Sequence, residues 1–251
     1  MRIKTIFSII SFICLSNKLV SQVMPTQFGS FHPSTTITSA PVLHLDAGNT
    51  SSYPGSGTNW SDISGNGVGG VLRNDPIYNN SNNGHFVFDG INDYVSFSAN
   101  LPSTDNLTYE VWLNPSELNS SQYYALLNHD GWDNGYVHFQ FLGNQLMFAL
   151  NPKNDKLADF TFTINTWYHI AAVYSISNER VSFYVNGSLK NNGSYAGATP
   201  SVASTTLKLG AWDANSRFFK GKIGLVRVYH RALSSEEILN NFNISRPRFG
   251  L

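Results

Sequence analysis

The stretch WYHIAAVY, residues 167–174, decides the fold class because apolar side chains occupy both of its alternating sets. Successive side chains of a β-strand point to opposite faces of a sheet. A strand that is apolar on both faces therefore lies in the middle of a layered structure. The stretch predicts a central strand that is covered on both sides.

Short predicted β-strands follow one another on either side of this stretch. In TYEVWLN, residues 108–114, two faces alternate in the same way, and Glu110 shares its face with Trp112. Gly, Asn, Asp or Pro separates most of the strands. The predicted strands are Val42–Asp46, His85–Asp89, Tyr94–Ser98, Leu107–Asn114, Tyr123–Asn128, Tyr136–Phe141, Gln145–Leu150, Phe160–Thr163, Trp167–Ser175, Val181–Val185, Thr206–Gly210 and Lys222–His230. About a dozen strands with almost no helix predict an all-β, two-sheet antiparallel sandwich of the jelly-roll type.

Two local signals refine this pattern. Asn186-Gly187 tolerates positive φ at both positions, as a type I′ hairpin turn requires. It predicts a hairpin between Val181–Val185 and a strand that starts near Ser188. The apolar alternation of residues 223–229 is irregular, which predicts a bulge near Gly224.

One short C-terminal helix is predicted, from Ser235 to about Phe242. Ser234 precedes it, and Glu237 follows three residues later. This spacing forms a capping box, in which the serine and glutamate side chains satisfy the free backbone N–H groups of the first turn.

The composition is that of a globular protein and does not indicate a nucleic acid or an anionic membrane as its partner. Hydrophobic residues make up 41% of the 251 residues, which allows a large core, and charged residues only 13%. Lys and Arg together number 16, as do Asp and Glu. This balance lacks the basic footprint of a nucleic-acid-binding protein and the polybasic segment that attracts anionic lipid.

The first 22 residues predict a secretory signal peptide. Arg2 and Lys4 precede the apolar run Thr5–Leu15, which is shorter than the roughly 20 residues of a transmembrane helix. The alternative is an N-terminal membrane anchor. The only cysteine, Cys14, lies within this run, so a mature chain without disulfides and without a membrane span is expected. The location that follows is secreted, extracellular or on the cell surface.

Two further segments follow the leader. Residues 23–40 are rich in Ser, Thr and Pro and predict an arm or linker. Residues 41–251 predict one domain.

Six stretches in order then resemble a known family. They are WSDISGNGVGG (60–70), FVFDGINDYVSF (86–97), LTYEVWLNP (107–115), NTWYHIAAVYS (165–175), VSFYVNGSLK (181–190) and KGKIGLVRVYHRALSSEEI (220–238). Their order and spacing resemble laminin G-like jelly-roll domains of the concanavalin A-like lectin/glucanase superfamily. The resemblance implies two antiparallel sheets packed face to face and an extracellular role in binding glycans or proteins. It does not imply one ligand, because the fold hosts many functions.

Catalytic residues of the related glucanases are not recognised. Those enzymes use two carboxylates on one strand face, at the separation that a retaining mechanism needs. Glu110 is the one strand-borne glutamate, and its neighbours on the same face are Thr108 and Trp112. We therefore expect Glu110 to be a hydrogen-bonded structural acid and the protein not to be an enzyme.

A candidate calcium site lies at Asp62, Ser64 and Asn66. Their alternate spacing before Gly67 resembles the first half of a calcium loop, D-x-[DN]-x-[DN]-G. The twelfth position of such a loop is Arg73, so an EF-hand is excluded. The alternative is a turn in which these side chains bond to their own backbone.

Candidate ligand contacts lie in two loops. Sugar sites combine an aromatic face with planar amide or carboxylate partners for hydroxyl groups. One loop offers Trp132 with Asp130, Asp133 and Asn134; the other offers Trp212 with Asp213. The polar residues of the first loop are equally compatible with a calcium ion that organises it.

Three functions follow in order of preference. The first is a secreted, non-catalytic, lectin-like module that binds a glycan or another surface ligand. The second is a structural or adhesive surface protein that binds protein partners or forms oligomers through sheet edges. The third is a glycoside hydrolase.

Overall fold

The structure is a computed structural model that describes residues 40–97, 104–195, 200 and 207–251. The predicted signal and arm, except for Ala40, lie outside the described residues, as do Ser98 and Thr206 at the ends of two predicted strands. The strands are β1 (Leu43–Asp46), β2 (Asn59–Trp60), β3 (Gly70–Arg73), β4 (Ile77–Asn79), β5 (His85–Asp89), β6 (Tyr94–Phe97), β7 (Asn106–Pro115), β8 (Tyr123–Asn128), β9 (Val137–Leu142), β10 (Gln145–Leu150), β11 (Lys156–Leu157), β12 (Tyr168–Ser175), β13 (Arg180–Val185), β14 (Ser188–Ser194), β15 (Lys208–Leu209) and β16 (Lys220–Tyr229). The helix α1 (Ser235–Ser245) and two 3-10 helices, Ser81–Asn83 and Arg246–Phe249, complete the described elements.

The first sheet has the order β14-β13-β12-β7-β16-β5-β4, and β1 also pairs with β16. All of its pairings are antiparallel. Strand β12 pairs with β7 along its whole length, and every residue of β12 is buried. Strand β16 lies in the middle of the sheet, with β7 on one side and β5 and β1 in succession on the other. The predicted central strand is therefore confirmed.

The second sheet has the order β11-β10-β9-β8-β15-β6-β3-β2 and is also antiparallel. Its inner face packs against the inner face of the first sheet. Tyr109 and Leu113 of β7 share the resulting core with Phe139, Phe141 and Phe148 of the second sheet, and all five are fully buried. Each such side chain stabilises the fold by roughly 1.5–3 kcal/mol. This is the predicted all-β, two-sheet antiparallel sandwich.

The outer face of the first sheet is covered by the C-terminal helix. The indole of Trp112 on β7 donates a hydrogen bond to Ser245 Oγ, 2.8 Å away. Its ring stacks on Phe249 with 4.2 Å between centroids, and it also stacks on Phe242 of α1. The helix therefore completes a second, smaller apolar layer.

Arg248 fixes the end of the chain to three other segments. It forms an ion pair with Asp46 at the end of β1. It also donates to the backbone carbonyls of Asn82, at 3.0 Å, and of Gly84 and Gly224. Arg248 therefore connects the C-terminal turn with β1 and β16.

The local predictions for the turn, the bulge and the helix cap are confirmed. Asn186 and Gly187 have φ of 51° and 74° and join β13 to β14. The register of β16 against β7 shifts between Ile223 and Leu225, which places a bulge at Gly224. The capping box of Ser234 and Glu237 is formed at the start of α1.

The predicted strand Phe160–Thr163 is wrong. These residues have no strand pairing, and the nearest strand, β11, ends at Leu157. Phe162 is buried against Phe141, with ring centroids 5.0 Å apart. The aromatic alternation that suggested a strand reflects packing of an irregular segment against the core.

Candidate functional site

Three polar side chains lie fully buried on the outer face of the second sheet: Asn128 of β8 and His138 and Gln140 of β9. They alternate with the core residues of the same strands, so their side chains point away from the core. Asn128 lies directly opposite His138 in the sheet. Asn128 Nδ2 donates to Gln140 Oε1 at 2.8 Å.

Two loops cover these polar residues, and neither contains regular secondary structure. The first, residues 129–136, is closed by a hydrogen bond from Tyr136 N to Asp133 O. The second, residues 211–218, crosses to β8, where Ala125 N donates to the Arg217 carbonyl at 2.7 Å. The site is thus formed where a sheet face meets two loops that are distant in sequence.

The two loops bring three aromatic rings together over the sheet. The ring of Trp132 stacks on that of His138, with centroids 4.3 Å apart and 19° between planes. Trp212 meets Trp132 edge to face at 5.6 Å. Trp132 remains 43% exposed, whereas Trp212 is partly buried. One indole is therefore supported by a neighbouring ring and remains partly accessible to solvent.

Arg217 completes the arrangement. Its Cζ atom lies 4.2 Å from the ring centroid of Trp212, 4.3 Å from that of Tyr123 and 5.4 Å from that of Trp132. Its Nη1 donates to Gln140 Oε1 at 3.1 Å. Cation–π contacts at these distances are attractive and hold the guanidinium among the rings. We refer to Tyr123, Trp132, His138, Trp212 and Arg217 as the tryptophan cluster.

The hydrogen-bonding capacity beneath the tryptophan cluster is incompletely used. Within the described residues, Asn128 Oδ1 and Gln140 Nε2 are buried without a hydrogen-bond partner. A buried polar atom of this kind costs roughly 1–3 kcal/mol of stability. One acceptor and one donor are therefore left unused beneath the aromatic rings.

His138 is neutral at physiological pH. Burial, together with the nearby positive charge of Arg217, lowers the pKa of His138 to about 3. The ring beneath Trp132 therefore acts as an uncharged aromatic surface.

A groove of about 480 Å³ adjoins the tryptophan cluster. Tyr123 and Arg217 belong to both, and Phe218, Ser121 and Gln122 line the groove further out. Its volume lies within the range of small-ligand clefts.

The structure brings together the two predicted tryptophans, whereas their acidic neighbours Asp130 and Asp213 make separate contacts. Asp130 forms an ion pair with Lys208 at 2.5 Å, and Asp213 accepts hydrogen bonds from Asn215 N and Ser216 Oγ. These hydrogen bonds outweigh the effect of burial and lower the pKa of Asp213. The two acids therefore hold the loops in shape.

Asp133 and Asn134 lie exposed on the same loop as Trp132. Their roles as ligand contacts, and the alternative of a calcium ion in this loop, stay predictions. Among the described residues, no group of three or more His, Cys, Asp or Glu side chains is arranged to hold a metal ion.

Sequence reasoning missed Arg217, Tyr123, Asn128 and Gln140. The available signal was the pair of polar residues at alternate positions of β9, His138 and Gln140, between apolar neighbours. Such a pattern marks a sheet face with polar content. Nothing local indicated that Arg217 crosses this face.

The carboxylate of the predicted calcium site is engaged by protein groups. Asp62 accepts hydrogen bonds from the backbone N–H of His44, Ser64 and Val68 and from Ser64 Oγ. Burial opposes ionisation, but these bonds outweigh it and lower the pKa of Asp62. Asn66 Nδ2 donates to Ser64 Oγ at 3.0 Å. This geometry agrees with the alternative of a turn in which these side chains bond to nearby backbone. Calcium binding by Asp62, Ser64 and Asn66 stays a prediction.

Glu110 lies on the outer face of the first sheet and is fully buried. Its Oε1 accepts from His169 Nε2 at 2.8 Å and from Arg227 Nη1 at 2.9 Å, and its Oε2 accepts from Asn241 Nδ2 at 2.8 Å. Burial opposes ionisation, but Arg227 and His169 outweigh it and lower the pKa of Glu110 to about 2. We refer to Glu110, His169, Arg227 and Asn241 as the glutamate network. Its central carboxylate is inaccessible and permanently ionised, so it lacks the proton of a general acid.

A sequence model of a laminin G-type family matches residues 89–239 and is described as the concanavalin A-like lectin/glucanases superfamily. The chain belongs to this superfamily. Its strands β6 to β16 and the start of α1 fall within the matched range. No curated protein sequence matches the chain significantly.

Several solved structures have a fold similar to that of the chain. The botulinum neurotoxin serotype G binding domain has a TM-score of 0.65 at 18% identity, over 81% of this chain and 51% of that chain. The binding domain of Paraclostridial Mosquitocidal Protein 1 has a TM-score of 0.65 at 16% identity, over 82% and 52%. The botulinum neurotoxin serotype D ligand binding domain in complex with N-acetylneuraminic acid has a TM-score of 0.66 at 17% identity, over 81% and 50%.

The chain spans about half the length of these structures. At such low identity the likeness establishes a shared fold. Within the described residues, no helix combines the length and the apolar character that crossing a membrane requires.

Proposed function

We propose that this protein is an exported, non-catalytic carbohydrate-binding module and that the tryptophan cluster is its binding site. The observation that carries the proposal is the half-exposed Trp132, stacked on His138 above buried amide atoms without partners. An exposed indole stacks on the apolar C–H face of a pyranose. The exposed side chains of Asp133 and Asn134 on the same loop supply hydrogen-bond partners for its hydroxyl groups. Fold membership and the described binding domains, one with a bound sugar, support this function.

The absence of catalysis is part of the proposal. The tryptophan cluster holds no pair of carboxylates, and Glu110 is fully buried on the other sheet. A retaining glycosidase needs two such groups near the bond that it cleaves. The similar structures are described as binding domains, which supports the same conclusion.

The direct test is a glycan array probed with the full chain, with and without EDTA. We expect binding to at least one glycan, and we expect Trp132→Ala to weaken it tenfold or more, because an aromatic side chain that stacks on a ligand ring contributes about 1–3 kcal/mol where nucleobases are the ligand. Leu157→Ala is a matched control, since Leu157 is a similarly exposed apolar residue on β11. A loss of binding in EDTA would support a calcium ion at Asp62, Ser64 and Asn66 or in the Trp132 loop.

No binding to any glycan in either condition would refute the carbohydrate proposal. A stable, ligand-independent oligomer in light scattering would then favour the structural or adhesive alternative. Export is a separate prediction from residues 1–22, and N-terminal sequencing of protein recovered outside the cell would check it.

A further inference from the structure

Arg217 has an unfavourable backbone conformation. Its φ is 56°, in the left-handed region that residues with a Cβ atom rarely adopt, and Ala214 of the same loop has φ of 65°. Such backbone strain costs about 1 kcal/mol or more and persists only where the surrounding structure enforces it. Here the enforcing contacts are the bond from Ala125 N to the Arg217 carbonyl and that from Trp212 N to Ser216 O. The loop backbone at Arg217 is therefore fixed, and the rings of Tyr123 and Trp212, together with Gln140, hold its guanidinium.

Arg217 differs from the other partly buried arginines in the described part of the chain. Those three arginines form ion pairs, Arg227 with Glu110, Arg231 with Glu237 and Arg248 with Asp46. For Arg217, no carboxylate lies within ion-pair distance among the described residues, and aromatic faces surround it instead. Burial lowers the pKa of Arg217, and the opposing effects of Tyr123, Asp155 and Asp213 do not outweigh it.

The groove next to Arg217 lacks a competing free negative charge. Glu117 is the only acidic residue among its lining residues. Its Oε2 pairs with Lys220 Nζ at 3.3 Å, and its Oε1 accepts from the Tyr124 hydroxyl. The charge of Glu117 is thus offset by Lys220, while that of Arg217 is available at the boundary between groove and tryptophan cluster.

We infer that the saccharide bound by this protein is acidic and that Arg217 binds its carboxylate while Trp132 stacks on a sugar ring. This inference rests on the proposed carbohydrate-binding function and names its ligand class. One N–H of the guanidinium is donated to Gln140. The planar fork of the remaining donors matches a carboxylate, which can accept two parallel hydrogen bonds. A neutral sugar offers no charge for this fork.

The test compares each acidic saccharide with its carboxyl-reduced form, because reduction removes the charge and keeps the ring. One pair is built on trigalacturonic acid and the other on 3′-sialyllactose, so the arms distinguish uronic from sialic acids. Calorimetry with the full chain should give at least a tenfold preference for the acid form in one pair, since hydrogen bonds to charged groups are the stronger class. The acid form alone should bind more weakly as sodium chloride is raised.

Two substitutions locate the preference. Arg217→Gln should remove it, and Arg217→Lys should reduce it, because lysine keeps the charge but loses the fork. Arg180→Gln is the matched control, since Arg180 is exposed on β13 of the other sheet. Near-ultraviolet circular dichroism should show that the tryptophan environment of each variant is retained.

Two results separate the inference from the proposed function. Equal binding of both members of each pair, or binding of neutral glycans only, would overturn the acidic ligand while Trp132-dependent binding would still support the module. If no glycan binds at all, both fail.

Discussion

The glutamate network and the tryptophan cluster occupy corresponding places on the two sheets, yet their chemistry is opposite. Each lies on an outer sheet face and combines charged, amide and aromatic side chains. In the glutamate network, both oxygens of Glu110 are hydrogen-bonded beneath the helix α1. The tryptophan cluster is covered by two irregular loops, and its cation, Arg217, forms no ion pair among the described residues. Beneath it, one amide atom each of Asn128 and Gln140 lacks a hydrogen-bond partner. The hydrogen-bonded carboxylate of the first region stabilises the fold, whereas the second region offers a ligand an exposed ring and a cation that forms no ion pair among the described residues.

The largest effect is expected from Glu110→Gln, which removes the charge of the glutamate network at nearly constant shape. Arg227 then remains partly buried without its partner, and breaking a buried ion pair costs about 3–5 kcal/mol. Urea denaturation would measure the loss. Glu117→Gln, which breaks the exposed pair with Lys220, is the control and should cost less than about 1 kcal/mol. Similar losses in the two variants would contradict the structural role of Glu110.

A matched pair of asparagines gives the next largest effect, because both are buried and each belongs to one region. Asn241→Leu removes a hydrogen bond to the Glu110 carboxylate and should destabilise by about 2–3 kcal/mol. Asn128→Leu removes one neutral hydrogen bond but also an unpartnered oxygen, so the cost should stay below about 1 kcal/mol. Only Asn128→Leu should weaken glycan binding. Equal stability losses would show that the two regions do not differ in the way described.

The last effect concerns pH and involves His44, beside the glutamate network, and His138 of the tryptophan cluster. Burial lowers the pKa of His44, next to Arg227, to about 4 and that of His138 to about 3, against about 6.5 in an unfolded chain. The unfolded state then binds more protons between these values. Each histidine contributes stability above pH 6.5 that is lost as the pH falls towards 4.

The free energy of unfolding should therefore fall by about 1 kcal/mol per histidine for each pH unit below 6.5. His138→Phe should reduce this slope in urea denaturation at pH 7, 6 and 5. The variant keeps an aromatic ring beneath Trp132. A slope unchanged from that of the natural chain would mean that His138 titrates as an exposed histidine.

Local patterns in the sequence were sufficient for the sandwich but only partly for the site. Alternation predicted β7 and β12, and the turn at Asn186 and the cap at Ser234 were correct because each depends on neighbouring residues alone. Trp132 and Trp212 were recognised by their polar surroundings. Their contact was not predictable, because it depends on how two loops separated by nearly 80 residues cross one sheet.

Arg217 illustrates the same limit. In the sequence it is an ordinary basic residue between Ser216 and Phe218. Its importance comes from its surroundings. It lies in a strained loop between aromatic faces, and no carboxylate of the described residues is within ion-pair distance. The strand predicted at Phe160–Thr163 failed for a related reason, since burial of alternate aromatics does not require pairing of the backbone.

The position of β16 has a consequence for how the domain is made. This strand comes late in the chain, yet it fills the centre of the first sheet between β7 and β5. Until it is synthesised, the edges of β7 and β5 that face it have no hydrogen-bonding partner. A ribosome-bound or truncated chain that ends before Lys220 should therefore remain unfolded and accessible to proteases. We therefore expect fragments that lack β16 not to fold.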